Sequence, residues 1–128
     1  MNDYITLGDV IAQLDQIKPN QYDLDTKVRW LNDVEGQLVQ EIFSWHAGTE
    51  NLTFPHFNSA DLTQILLVPA PYHDLYVKYL CAQVDFANAE FNRYNNSMTL
   101  YNALLSSFAD WYNRTHVPAQ PNYIRGVR

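Results

Sequence analysis

Four histidines (His46, His56, His73 and His116) and fourteen carboxylates are the residues of this chain best suited to hold a metal ion or move a proton. A helical di-metal centre needs glutamate and histidine three residues apart, so that one helix face aims both ligands, and no Glu-x-x-His pair occurs. The lone Cys81 excludes a Cys-x-x-Cys zinc site and an internal disulfide alike. No metal and no cofactor are therefore expected. Cys81 stands four residues before Asp85, as a nucleophile with an acidic neighbour would, but it lies in the most apolar stretch of the chain, where a small buried thiol is the expected role. Gly8, Gly36, Gly48 and Gly126 are too scattered to cradle a phosphate, and the Gly-x-Ser-x-Gly elbow of hydrolases is missing. His73 and Asp74 fall at a helix start, where they cap and solvate. Tyr72, Tyr76 and Tyr79 recur on successive turns and read as core or interface rather than a base-stacking platform. Asn51-Leu52-Thr53, Asn95-Asn96-Ser97 and Asn113-Arg114-Thr115 match the N-glycosylation pattern, which matters only to a secreted chain. The chain is expected to have no catalytic residue and not to be an enzyme.

The elements that would carry these residues are helices. Leu7, Val10, Ile11, Leu14 and Ile17 form an apolar stripe over Thr6 to Lys18, with Thr6 as N-cap, Asp9 in the first turn and Pro19 as the stop. A second stripe runs through Val28, Leu31, Val34, Leu38, Ile42 and Trp45, capped by Asp23 or Asp25 and ending near Trp45 to Gly48. From Ala47 to Pro71 no helical period persists. This long excursion holds three prolines and one short apolar run, Ile65-Leu66-Leu67-Val68, which reads as extended chain covering part of the core. Phe54 and Phe57 are its candidate contact residues, and the excursion is expected to project from the bundle. Pro71 fits the first position of a third helix, which continues to Phe91 and is apolar nearly all round, so it must be buried on several sides. Asn95, Asn96 and Ser97 suggest a turn, followed by a fourth stripe at Leu100, Leu104, Phe108 and Trp111. Helices three and four are expected to form a hairpin in which Leu75, Tyr79, Leu80, Val84, Leu104, Phe108 and Trp111 share a core. The fold class is thus all-α, a small bundle of about four helices.

Length and composition agree with one domain over residues 1–116 and a tail over 117–128, within 128 residues and 14.9 kDa. With 47% hydrophobic and 17% charged residues, the chain is too apolar for a disordered tail and too interrupted by charge for a membrane span. A net charge of −6 argues against grip on duplex DNA through neutralised phosphates. The charge is unevenly divided. Residues 1–110 carry −9 and residues 111–128 carry +3. The N-terminus lacks the features of a signal peptide, and with one cysteine the chain is expected to be made and kept in a reducing cytoplasm.

Several segments in order, Leu66-Leu67-Val68-Pro69-Ala70-Pro71-Tyr72-His73-Asp74-Leu75-Tyr76, Ala82-Gln83-Val84-Asp85-Phe86-Ala87-Asn88, Arg93-Tyr94-Asn95-Asn96-Ser97-Met98 and Trp111-Tyr112-Asn113-Arg114-Thr115-His116, together resemble the head-tail connector proteins of long-tailed bacteriophages and prophages. These are also called head completion or adaptor proteins. Thr6-Leu7-Gly8-Asp9-Val10 and Lys27-Val28-Arg29-Trp30-Leu31-Asn32 fit the same pattern, so the resemblance covers about Thr6 to His116. It implies a helical structural subunit in the virion, made in the bacterial host. Such a subunit assembles with itself into a ring of about a dozen copies under the portal protein, meets a tail-side completion or stopper protein, and lets DNA pass without sequence-specific binding. An acidic wall suits such a conduit, because it repels phosphate. Tyr123, Ile124, Arg125 and Arg128 of the tail are candidate contacts to the portal or a neighbouring subunit. The alternative is a small monomeric helical regulator or enzyme accessory protein of phage origin.

Overall fold

A computed structural model describes residues 3–118. Its elements follow in chain order: α1 (Leu7–Ile17), α2 (Leu24–Glu41), a single 3-10 turn (Phe43–Trp45), α3 (Asp74–Ala87) and α4 (Phe91–Thr115). Among the described residues there is no β-strand, only two isolated antiparallel bridges, Thr6 with Ile65 and His46 with Pro118. The fold is all-α.

Both predicted N-caps hold. Thr6 Oγ1 accepts from the Asp9 amide at 3.1 Å while the Asp9 carboxylate accepts from the Thr6 amide, a reciprocal capping box. Asp23, rather than Asp25, caps α2 by accepting from the Thr26 amide at 2.9 Å, and that bonding holds its carboxyl below the usual range. Two stripe residues fall outside the core. Ile17 is exposed in the last turn of α1, and Trp45 is exposed because α2 stops at Glu41 and the 3-10 turn gives the buried place to Phe43.

α3 starts later than expected. Pro71 lies in a turn after a cis Ala70–Pro71 bond and the helix begins at Asp74; His73 takes the N-cap position, but against expectation no side chain caps the helix there. As its apolar circumference required, α3 packs against α1, α2 and, most extensively, α4, and Leu75, Leu80 and Val84 lose nearly all contact with solvent. The turn to α4 falls at Asn88–Glu90, not at Asn95–Ser97, which lie inside α4. Phe91 opens α4 instead of closing α3. The stop is a Schellman motif: the Glu90 amide donates to the Asp85 carbonyl and the Ala89 amide to the Phe86 carbonyl, with Ala89 left-handed at φ 58°. Alanine rather than glycine stands at the left-handed position, so the usual sequence marker is missing. Leu100 is half exposed, and α4 instead buries Tyr101, Phe108 and Tyr112. The expected hairpin core does form, with Leu104 and Trp111 partly buried at its edge.

The excursion between the 3-10 turn and α3 does not project. It lies along the body because α1 needs it there: the first amides of a helix have no intrahelical acceptors, and Leu7 and Gly8 donate theirs to the carbonyls of Gln64 and Leu62 at 3.1 and 2.9 Å. A Cβ on Gly8 would stand 3.0 Å from the Leu62 carbonyl oxygen, so a larger residue there must push that backbone back by a few tenths of an ångström. Asn32 of α2 grips the same excursion further along, accepting from the Phe57 amide at 2.8 Å and donating to the Phe57 carbonyl at 3.0 Å. Leu66 and Val68 then enter the core as the extended cover that their run predicted.

Candidate interaction groove

Where the C-terminal end of α4, the 3-10 turn and the extended segment meet, they leave an open apolar groove of about 510 Å³. One wall is Phe108, Trp111 and Tyr112 of α4 with His116, the residue that caps its C-terminus. The opposite wall is Ile65, Leu66, Leu67 and Pro69, with Tyr4, Phe43 and Thr49 closing the ends. Ile65 and Tyr4 are each 49% exposed, which leaves apolar surface open to solvent at the rim.

The α4 wall is rigid because its aromatic rings brace one another. Phe43 meets Tyr112 edge-on at 4.9 Å between centroids, His46 does so at 4.7 Å, and His116 stacks flat on Tyr112 at 3.7 Å. His46 is buried with Nδ1 2.8 Å from the Ile42 carbonyl, an acceptor only, so the proton sits on Nδ1. Thr49 Oγ1 donates to the Phe43 carbonyl at 2.7 Å and therefore accepts from the Tyr112 hydroxyl, 3.2 Å away. The Ala47 amide donates to the Val117 carbonyl at 2.8 Å, fixing the chain beyond α4 to the edge of this cluster.

The opposite wall is held by a clasp that the sequence reading missed. Glu35 of α2 is 2% exposed. Its Oε2 accepts from the Leu67 amide at 2.8 Å and its Oε1 from the Tyr76 hydroxyl at 2.6 Å, while the same hydroxyl accepts from the Val68 amide at 3.0 Å. Three segments distant in sequence are thus joined at one buried carboxyl. Burial pushes Glu35 up to about 7, with the bonds from Tyr76 and Leu67 pulling the other way. Burial and the adjacent carboxylate together drive the Tyr76 hydroxyl well above its ordinary value. The signal was available: Glu35 falls four residues after Leu31 and three before Leu38, on the apolar face of α2. Glu35 also lines a smaller recess of about 230 Å³ that shares Ile65 and Leu67 with the groove.

The two predicted excursion contacts are separated. Phe57 is partly buried and lines the smaller recess, whereas Phe54 is 55% exposed, its ring beside Gly36, and lines neither cavity. Tyr123, Ile124, Arg125 and Arg128 lie outside the described residues. Cys81 is buried, and burial raises its thiol. Asp85 is fully buried, receiving Lys18 Nζ at 2.8 Å and the Ser97 hydroxyl at 3.1 Å, a pairing that ties α1, α3 and α4 together. Among the described residues no three of His, Cys, Asp or Glu gather as metal ligands, and no helix is long and apolar enough to cross a membrane. Comparison with family models, with curated proteins and with solved structures finds no match to this chain.

Proposed function

We propose that this chain is a structural head-tail connector subunit, one that docks beneath a bacteriophage portal and assembles with copies of itself into a ring around the DNA exit channel. The observation that carries the reading is the open apolar groove beside the end of α4, with Ile65 and Tyr4 half exposed at its rim: a concave apolar site of this kind suits an apolar segment of another chain. The ordered run of segments resembling connector proteins supplies the partner class. Two further features agree with it. The body is acidic, which suits a wall along which duplex DNA slides without being held. The 25-residue α4, about 37 Å long at 1.5 Å per residue, gives the subunit a stiff axis. In this reading the subunit belongs to the virion, a tail-side stopper protein binds the face away from the portal, and Tyr123, Ile124, Arg125 and Arg128 belong to an arm that takes part in assembly.

The test is to mix the purified chain with the portal ring of the phage or prophage that carries its gene and image the product end-on. Closed rings of the chain seated on the portal are expected, even if the chain alone is monomeric by mass measurement. A chain that leaves the portal bare at high micromolar concentration is not a connector.

A further inference from the structure

The groove has a lip from which the chain departs, and the geometry there says which way. His116 lines the groove, the Val117 carbonyl is bonded to the Ala47 amide, and Pro118 pairs antiparallel with His46. In an antiparallel pair, rising numbers on one side run against falling numbers on the other. At Pro118 the chain has therefore run from His116 to a place beside His46, and His46 does not line the groove. Val117 and Pro118 no longer line the groove. Ten residues follow, Ala119 to Arg128, with Tyr123, Ile124 and Val127 as apolar side chains, Arg125 and Arg128 as charges, and no acid. Extended, ten residues reach about 33 Å. The folded body is about 35 Å across for a domain of this length, and Tyr123 and Ile124, five and six residues beyond Pro118, can stand up to about 20 Å from it, so they reach a neighbouring copy whose groove faces this lip.

We propose that the groove of each copy receives the segment Ala119–Arg128 of a neighbouring copy. Tyr123 and Ile124 supply apolar surface to a groove walled by Trp111 and Ile65, and a tyrosine hydroxyl can stay at the wet rim. The signs of charge agree: exposed Asp3, Glu50 and Asp110 are sequence neighbours of the groove residues Tyr4, Thr49 and Trp111, and Arg125 and Arg128 carry the opposite charge. A contact between a groove and a segment elsewhere on the same chain is heterologous, the kind that closes into rings when the rotation permits. The inference deepens the ring reading by naming the contact between neighbours, and it rests on that reading for the ring itself. A ten-residue segment buries much less than the roughly 800 Å² per partner of a standard stable interface. Free subunits then stay apart until a portal gathers them and many such contacts act together.

The experiment titrates a fluorescein-labelled peptide of residues 119–128 with the full-length chain, followed by fluorescence anisotropy. Saturable binding is expected. It weakens at least tenfold when the peptide carries Tyr123→Ser with Ile124→Ser, and at least tenfold when the chain carries Ile65→Glu. Ile65 is half exposed, and an unchanged thermal melt confirms that this variant folds. Leu100→Glu, half exposed on α4 away from the groove, leaves binding unchanged. The proposal is overturned if both peptides bind alike or if Ile65→Glu binds as the intact chain does. It is equally overturned if a full-length chain carrying the two serine substitutions binds the intact peptide ten times more tightly than the unaltered chain, because the groove would then be filled by its own segment. Rings on the portal without peptide binding remove this inference alone; peptide binding without rings removes the ring reading and leaves the contact between copies.

Discussion

Buried Glu35 gives this fold a pH response. Its carboxyl is raised from 4.5 to about 7 in the fold, whereas in the unfolded chain it titrates near its ordinary value. A raised acid favours the protonated folded state, so its contribution is fully present below about pH 4.5 and is lost as pH rises through 7. At 1.36 kcal/mol per unit, the loss is about 3 kcal/mol. Urea titrations at pH 5 and pH 8 are expected to show the intact chain weaker at pH 8, and Glu35→Gln to flatten the difference. An equal slope in both proteins would place the titration elsewhere. Leu80, with no exposed surface at the centre of α3, tests packing rather than charge: Leu80→Ala is expected to cost about 2 to 5 kcal/mol, and a denaturant midpoint that barely moves would mean that the hairpin core is misplaced.

The helices owe their ends to particular local devices, and two of these make opposite predictions. Ala89 holds a left-handed conformation at φ 58° that costs an L-residue about 1 kcal/mol and glycine almost nothing. Ala89→Gly is therefore expected to raise stability by up to about 1 kcal/mol, although the substitution is to the residue usually blamed for weakening helical proteins. A fall in melting temperature would show that the turn is not the Schellman stop. Gly8→Ala runs the other way. It adds helix propensity worth up to about 1 kcal/mol, but its Cβ meets the Leu62 carbonyl oxygen at 3.0 Å, and displacing the excursion is expected to outweigh that gain. The readout is limited proteolysis, in which cleavage within residues 58–64 should appear in Gly8→Ala before it appears in the parent. The stripes and side-chain caps of α1 and α2 were legible because their signals are local. The α3 to α4 turn was not, since an alanine does a glycine's work and Asn95–Ser97 imitate a turn inside a helix.

At the scale of the whole molecule, the all-α class and the central hairpin could be read from apolar spacing, while the groove could not. Its walls come from α4, from the 3-10 turn and from a segment with no helical period, and what brings them together is a buried glutamate and backbone carbonyls offered to the start of α1. None of these leaves a repeating mark in the sequence. The same arrangement has a kinetic consequence. Leu66, Leu67 and Val68 belong to no helix or strand, yet their three consecutive amides donate to the Ile5 carbonyl, the Glu35 carboxyl and the Tyr76 hydroxyl. Freeing any one of them means separating the excursion from α1, α2 or α3. Hydrogen–deuterium exchange of these amides should thus be governed by global opening, as slow as the centre of α3, while the amides of Thr53, Phe54 and His56 exchange within the first time points. Rapid exchange at 66–68 would show that the clasp opens by itself. Slow exchange would mean that part of what looks like a loop unfolds last, together with the core.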